Sequence, residues 1–226
     1  MQAIILCGGL STRLGDITKT VPKILLQVRD RTVLDWQLDF LQDAGVDQVI
    51  LASGHLHDTL YRAIGKSRGG MQIRYAKEDK RLDTGGAIKN ALEHISLSPF
   101  FVLNGDVLLH FSASRMLNRL EPEMDGILLS VWVKDISTYG EIVSDDQNKI
   151  TEFREKPPAP RAGYINGGVY LFSQSISNYF PDREVFSIER DVFPYVRHLY
   201  VFPSEINWID VGVPERLVYA RKHFGD

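Results

Sequence analysis

The chain has 226 residues, 44% of them hydrophobic and 24% charged, with a formal net charge of -3. That length favours one α/β domain over residues 1–226, and the acidic balance lacks the basic face of a nucleic-acid binder. Cys7 is the only cysteine, which argues against a disulfide framework or a cysteine-based zinc site, and no apolar run approaches the ~20 residues that span a bilayer. Met1-Gln2-Ala3 lacks the charged start and long apolar core of a signal peptide, so a soluble, cytoplasmic protein with no membrane partner is expected.

In chain order, residues 3–6 form a short apolar run that reads as a buried strand. Directly after it come Cys7-Gly8-Gly9-Leu10-Ser11-Thr12-Arg13-Leu14-Gly15 and then Val21-Pro22-Lys23. Glycines after a strand let the backbone approach a phosphate chain with no Cβ in the way. Their N–H groups can point at anionic oxygens, and Arg13 and Lys23 add positive charge. Gly-x-Gly-x-x-Gly is absent, as is Gly-x-x-x-x-Gly-Lys-Ser/Thr, so neither the Rossmann dinucleotide fingerprint nor a Walker A loop is present.

Residues 32–44 predict a helix, with Leu34, Leu38 and Leu41 at helical spacing, a capping-box-like Thr32-x-x-Asp35 and Gly45 as its stop. Strands follow at 48–52 and 73–76, with a short helix at 58–64 between them. A helix at 84–94 and a strand at 100–103 ending in Asn104-Gly105-Asp106 complete the first half. Such alternation implies βαβ units and a mainly parallel sheet, with ligands beyond the carboxyl ends of the strands. In the second half, 126–133 reads as a central strand, and 139–143 and 150–153 flank a turn at Asp145-Asp146-Gln147-Asn148. A stiff connector at 156–160 precedes a strand at 164–172, a helix at 187–195, a strand at 199–202 and a closing helix at 214–223.

Asp106 and Asp210 each follow an apolar strand run. Two carboxylates together with phosphate oxygens and water suit Mg²⁺, although each residue taken alone is equally a turn or helix-flanking aspartate. His55 and His57, with no further ligand cluster nearby, read as incidental polar residues. Ser11 and Thr12 have no paired base for a nucleophilic hydrolase. Cys7 reads as small apolar packing at a strand end.

The glycine loop with Val21-Pro22-Lys23 resembles the signature of the sugar-phosphate nucleotidyltransferases, usually Gly-Gly-x-Gly-Thr-Arg-Leu followed by Pro-Lys-Pro. Further segments match in the expected order: Asp83-Thr84-Gly85-Gly86-Ala87-Ile88, Leu103-Asn104-Gly105-Asp106, Glu155-Lys156-Pro157, Ile165-Asn166-Gly167-Gly168-Val169-Tyr170 and Trp208-Ile209-Asp210-Val211-Gly212-Val213-Pro214-Glu215. The likeness extends from Met1 to about Arg221. It implies a Rossmann-like fold, with a mainly parallel mixed sheet flanked by helices, that joins an NTP to a sugar 1-phosphate and releases pyrophosphate.

The resemblance also implies roles. Arg13, Lys23 and Asp106 would be catalytic, and Asp106 and Asp210 would hold Mg²⁺. Leu6, Gly8, Gly9, Asp83, Gly85 and Gly86 would bind the nucleotide, and Asn104, Gly140, Glu155, Lys156 and Asn166 the sugar phosphate. Two positions depart from the family pattern: Ile24 stands where a second proline is common, and Asp83 adds a negative charge beside the base. Within the family, the short chain and its motifs look like the guanylyltransferases of manno-heptose 1-phosphate, which implies GTP as the NTP and a role in cell-surface polysaccharide synthesis. Uridylyl, thymidylyl and mannose-1-phosphate guanylyl transfer stay open, as do homo-oligomerisation and a non-catalytic regulatory subunit.

Overall fold

The N-terminal apolar run becomes the strand Gln2–Leu6, which lies inside a 10-stranded sheet. It pairs in parallel with Phe100–Asn104 on one side and Gln48–Ser53 on the other, and Met71–Lys77 continues the parallel set. Gln2–Leu6, Gln48–Ser53 and Phe100–Asn104 are buried on both faces, as expected of parallel strands covered by helices, whereas Met71–Lys77 largely alternates buried and exposed residues. The structure, a computed structural model, describes residues 1–154 and 156–225. The expected α/β architecture with a mixed central sheet is what it shows.

The other half of the sheet brings in antiparallel pairs. The C-terminal part of Gly163–Phe172 lies against Phe100–Asn104, and its other edge carries Gly126–Val133, which pairs in parallel with Leu199–Ser204. Gly126–Val133 therefore has a strand on both sides, as its apolar run predicts. Glu141–Ser144 and Ile150–Arg154 extend one edge. Between them Asp145 Oδ1 accepts from the N–H groups of Gln147 and Lys149, which forms the predicted turn.

Several expected elements are trimmed. The helix foreseen at 32–44 runs Val33–Asp43, with Thr32 as its N-cap and a complete capping box to Asp35, and Gly45 follows at φ 71°. Asp35 also accepts two bonds from Arg68. Burial opposes its charge, but the bonds from Arg68 and Thr32 prevail and hold its carboxyl at about 2. The helix foreseen at 84–94 runs Asp83–Ala91 and tightens into a 3-10 turn at Leu92–His94. Thr84 does not cap it; its hydroxyl accepts the Ile188 N–H at 3.0 Å.

The helix foreseen at 187–195 breaks. Ser187 caps a single turn, Ile188–Asp191, and Val192 leaves helical geometry before a 3-10 turn at Phe193–Tyr195. Pro194 has no N–H to give and would crowd the preceding turn. The strand foreseen at 139–143 begins only at Glu141, because Tyr139 N–H closes a turn onto Ile136 O. That shift leaves the Tyr139 side chain to the site.

Helices cover both faces. Val33–Asp43 packs Leu34, Leu38 and Leu41 against one, and Asp83–Ala91 packs Ile88 and Ala91 against the other. A third apolar cluster holds Leu14, Leu26, Val28, Leu108, Val211 and Leu217. It lies under the glycine loop and joins the first, middle and last segments of the chain. Among the described residues no helix is long and apolar enough to cross a membrane.

Candidate active site

At the carboxyl end of Gln2–Leu6 the chain enters the glycine loop. Cys7 N–H is used by Ala52 O, and burial pushes its thiol pKa up, as a packing role requires. Among the described residues the Gly8 and Gly9 N–H groups have no partner. The loop then makes a 3-10 turn at Thr12–Leu14. Buried Leu14 anchors it below, and Thr18 Oγ1 donates back to Ser11 O at 3.0 Å. Arg13 is exposed and has no ion-pair partner among the described residues. The departure at Ile24 is a packing feature: the side chain is wholly buried in the main core.

Lys23 opens the next 3-10 turn and its ammonium pairs with Asp106 Oδ2. Asp106 sits in the turn between Phe100–Asn104 and Val107–Leu109. Two residues shape that turn. A Cβ on Gly105 would collide with Leu6 O, so the approach needs glycine there. Gln37, wholly buried in the helix Val33–Asp43, donates from Nε2 to Asn104 O at 2.8 Å and to Val107 O at 2.9 Å. Gln37 escapes a sequence reading because a glutamine between apolar helix positions looks like any solvated residue.

Asp210 reaches the same place from the far end of the chain. Trp208–Asp210 pairs antiparallel with Val107–Leu109, with Asp210 opposite Val107, and Val211 N–H bonds Asp106 O at 2.8 Å. Gly212 marks the convergence. A Cβ there would lie 2.8 Å from Asp210 Oδ1, 3.4 Å from Asp106 Oδ2 and 3.4 Å from Arg13 Nη2. Asp210 Oδ2 pairs with Arg216 and accepts from Tyr139 OH at 3.0 Å. Burial, then the Asp210 charge, raise the Tyr139 hydroxyl to about 12.

Two cavities meet here, and Asn104 and Asp106 line both. The first, about 250 Å³, is walled by Leu6, Gly8, Gly9, Lys23 and Asp83, with Glu78 and Arg81 besides. The second, about 200 Å³, is walled by Arg13, Asn166, Asp210, Tyr139, Trp208 and Arg216. Asn166 is fixed by a 2.9 Å bond to Tyr170 OH and a 2.9 Å bond from Gly168 N–H. Trp208 is fixed by its indole N–H on Gly167 O at 2.9 Å.

Some expected site residues stand elsewhere. Gly85 and Gly86 do not line the first cavity. Both donate their N–H to Phe186 O, and a Cβ on either would collide with Phe186 or with Glu184 O. They are close-packing positions between the helix and the 180s segment. Asp83 lines the cavity, yet its carboxylate pairs with Arg190 at 3.0 Å. Gly140 and Lys156 are exposed and line neither cavity, and Glu155 lies outside the described residues. His57 bonds Ser53 Oγ at 2.8 Å and packs on Tyr61 and Tyr75, a structural role.

Sequence reading missed Gln37, Glu78, Tyr139, Trp208 and Arg216. Glu78 is half-buried, and burial raises its carboxyl pKa. It stands five residues before Asp83, outside the motif at residues 83–88, and only its strand's direction brings it to the cavity.

The donor set suits a hard divalent cation. Asp106 and Asp210 converge on one spot, and among the described residues no group of three or more His, Cys, Asp or Glu is placed to bind a metal. A cation here would complete its shell with phosphate oxygens and water, as Mg²⁺ commonly does.

A family model described as "Nucleotidyl transferase" matches residues 2–225. A D-glycero-alpha-D-manno-heptose 1-phosphate guanylyltransferase from Campylobacter jejuni is 34% identical over 218 residues, covering 95% of this chain and 96% of its own. A mannose-1-phosphate guanylyltransferase catalytic subunit beta from Danio rerio is 34% identical over 224 residues, 95% of this chain and 62% of that relative. The crystal structure of HddC from Yersinia pseudotuberculosis complexed with GMP-PN superposes with a TM-score of 0.86 at 29% identity, over 98% of each chain. With residues of the glycine loop and of the Asn104, Asn166 and Asp210 motifs lining two adjoining cavities and a family model spanning nearly every residue, this chain belongs to the nucleotidyl transferase family.

Proposed function

We propose that this protein joins GTP to D-glycero-D-manno-heptose 1-phosphate, forming GDP-heptose and pyrophosphate. The observation that carries the reading is the pair of cavities that meet at Asp106. The first suits the nucleotide, because its glycine loop offers the unpaired Gly8 and Gly9 N–H groups and Lys23. The second suits a sugar phosphate, because Asn104, Asn166 and Tyr139 offer hydroxyl partners and Arg13 and Arg216 offer charge. Full-length likeness to a heptose 1-phosphate guanylyltransferase supports the substrate pair. Likeness to a mannose-1-phosphate guanylyltransferase supports mannose 1-phosphate as the second reading.

In this scheme an oxygen of the sugar phosphate attacks the α-phosphorus of GTP. The bond to the β-phosphate oxygen breaks, and pyrophosphate leaves with the electron pair. Asp106 and Asp210 would hold Mg²⁺, which supplies charge neutralisation when bound. The protein aligns the two phosphates across Asp106 and offsets their repulsion through Arg13 and Lys23, which is most of what such a transfer needs. Glu78 gives the nucleotide cavity a carboxylate acceptor that suits the N1–H and amino donors of guanine, while the Asp83 carboxylate is engaged by Arg190 and the Thr84 N–H. The cytoplasm supplies such a reaction with NTP, and its product would serve cell-surface polysaccharide synthesis.

Pyrophosphate release with each of the common NTPs against several sugar 1-phosphates tests the proposal. GTP with the manno-heptose phosphate should give the highest kcat/KM. A clearly higher value for UTP or dTTP with a hexose 1-phosphate would overturn the substrate assignment and leave the family assignment standing.

Substrate partition offers a second test. Lys23→Ala is expected to raise the KM for the NTP by about tenfold or more, the scale of one lost charge-assisted contact. Lys156→Ala is expected to act chiefly on the KM for sugar phosphate, which requires the exposed connector to close on that substrate. Titration of each substrate against each variant reads this directly. A Lys156→Ala effect confined to the NTP would reverse the roles, and no effect on either substrate would leave Arg13 and Arg216 as the sugar-phosphate cations.

A further inference from the structure

We propose that Arg216 is an exchangeable countercharge: it neutralises Asp210 in the empty site and passes to the phosphate of the sugar 1-phosphate when a divalent cation takes that carboxylate. The inference rests on the functional reading above. Arg216 Nη1 pairs with Asp210 Oδ2 and donates to Tyr139 OH, and its guanidinium carbon stands 5.3 Å from the Tyr139 ring centroid. The pair is partly covered, with side-chain exposures of 24% for Arg216 and 14% for Asp210. Arg216 and Arg13 are the cationic side chains that line the second cavity.

The position of Arg216 argues against a role in holding the helix together. It is the third residue of Pro214–His223. A cation in the first turn opposes the partial positive charge of a helix N-terminus, so the placement works against helix stability. Asp210 is the group that compensates it. Both Asp210 oxygens are engaged, Oδ1 by the Gly212 N–H at 3.0 Å and Oδ2 by Tyr139 and Arg216.

A divalent cation between Asp106 and Asp210 would therefore meet Arg216 on one carboxylate, Lys23 on the other and Arg13 beside both. Repulsion among these charges disfavours cation binding until phosphate oxygens arrive. A phosphate in the second cavity gives Arg216 a planar, bidentate partner better matched than one carboxylate oxygen. Release of Asp210 and capture of the phosphate thus become one exchange, and cation and sugar phosphate each favour the other's binding.

The test uses the full chain without substrates, titrated with Mn²⁺ and followed by electron paramagnetic resonance, for wild type, Arg216→Met, Arg216→Lys and Tyr139→Phe. Methionine keeps an unbranched apolar stem in place of the arginine's. Arg216→Met should bind Mn²⁺ about tenfold more tightly, within the usual range of coupling between sites, with Arg216→Lys intermediate. Tyr139→Phe should shift the affinity the same way by less. In steady-state assays Arg216→Met should raise the KM for sugar 1-phosphate about tenfold or more and leave the KM for the NTP within about twofold.

Unchanged or weaker Mn²⁺ binding in Arg216→Met would make the pair a static bracket and overturn the proposal. If that variant does not fold, unchanged Mn²⁺ binding in Tyr139→Phe overturns it instead. Tighter Mn²⁺ binding with an unchanged sugar-phosphate KM overturns the hand-over. The Mn²⁺ titration needs no substrate, so it still reads the countercharge if wild type turns over none of the NTP and sugar-phosphate pairs.

Discussion

Asp106→Asn and Asp210→Asn are each expected to lower turnover by roughly 10²-fold or more at saturating Mg²⁺. Asparagine keeps the shape of each side chain and removes its charge. Asp106 Oδ2 and Asp210 Oδ1 both approach the spot that a Cβ on Gly212 would fill, so each substitution removes one of the two protein charges that could hold a cation there. Each also strands a cation, Lys23 in the first case and Arg216 in the second. Both pairs keep some contact with solvent, so the fold should survive, and circular dichroism checks this. The loss should fall on kcat, since the charge counts most where the α-phosphate and leaving pyrophosphate develop theirs. Near-normal kcat in either folded variant would remove that residue from the proposed metal site.

Gly86→Ala is expected to destabilise the fold by about 2 kcal/mol, within the range for overpacked sites. That corresponds to a fall in Tm of roughly 4–8 °C for a chain of this size. The new methyl would collide with Glu184 O and come within 3.0 Å of Leu82 Cβ. The first obstacle is backbone and cannot rotate away. Moving it would disturb the bonds from the Gly85 and Gly86 N–H groups to Phe186 O. Below the transition, kcat and the KM for the NTP should stay near wild type, because the methyl does not enter the first cavity. Differential scanning calorimetry with steady-state kinetics at 20 °C checks both halves. An unchanged Tm with a raised NTP KM would return Gly85 and Gly86 to the nucleotide contacts implied by the resemblance.

Much of this molecule is legible in the sequence, for local reasons. The run Ala-Ile-Ile-Leu at residues 3–6 is short, apolar and stopped by glycines, which reads as a buried strand, and the Thr32-x-x-Asp35 capping box marks a helix start within one turn of chain. The glycine loop carries its own chemistry: small residues for approach, then Arg13 and Lys23 for charge. Asp106 and Asp210 are visible as aspartates at strand ends, and the resemblance of the motifs supplies the reaction.

Tertiary structure decided what depends on distant segments. Asp210 meets Asp106 only because Trp208–Asp210 pairs with Val107–Leu109, and two strands of three residues carry too little pattern to reveal that pairing. Gly85 and Gly86 look like nucleotide contacts at a helix start, and the segment that fills their space comes from the 180s. Tyr139 and Arg216 look like ordinary surface residues until both meet Asp210 Oδ2. Gln37 looks solvated until the turn at Asp106 closes over it. A side chain's neighbours within a few residues follow from backbone geometry and are written in the sequence. Its neighbours across the sheet depend on pairing and register over the whole chain, and those decided which charged groups share this site and which are held apart.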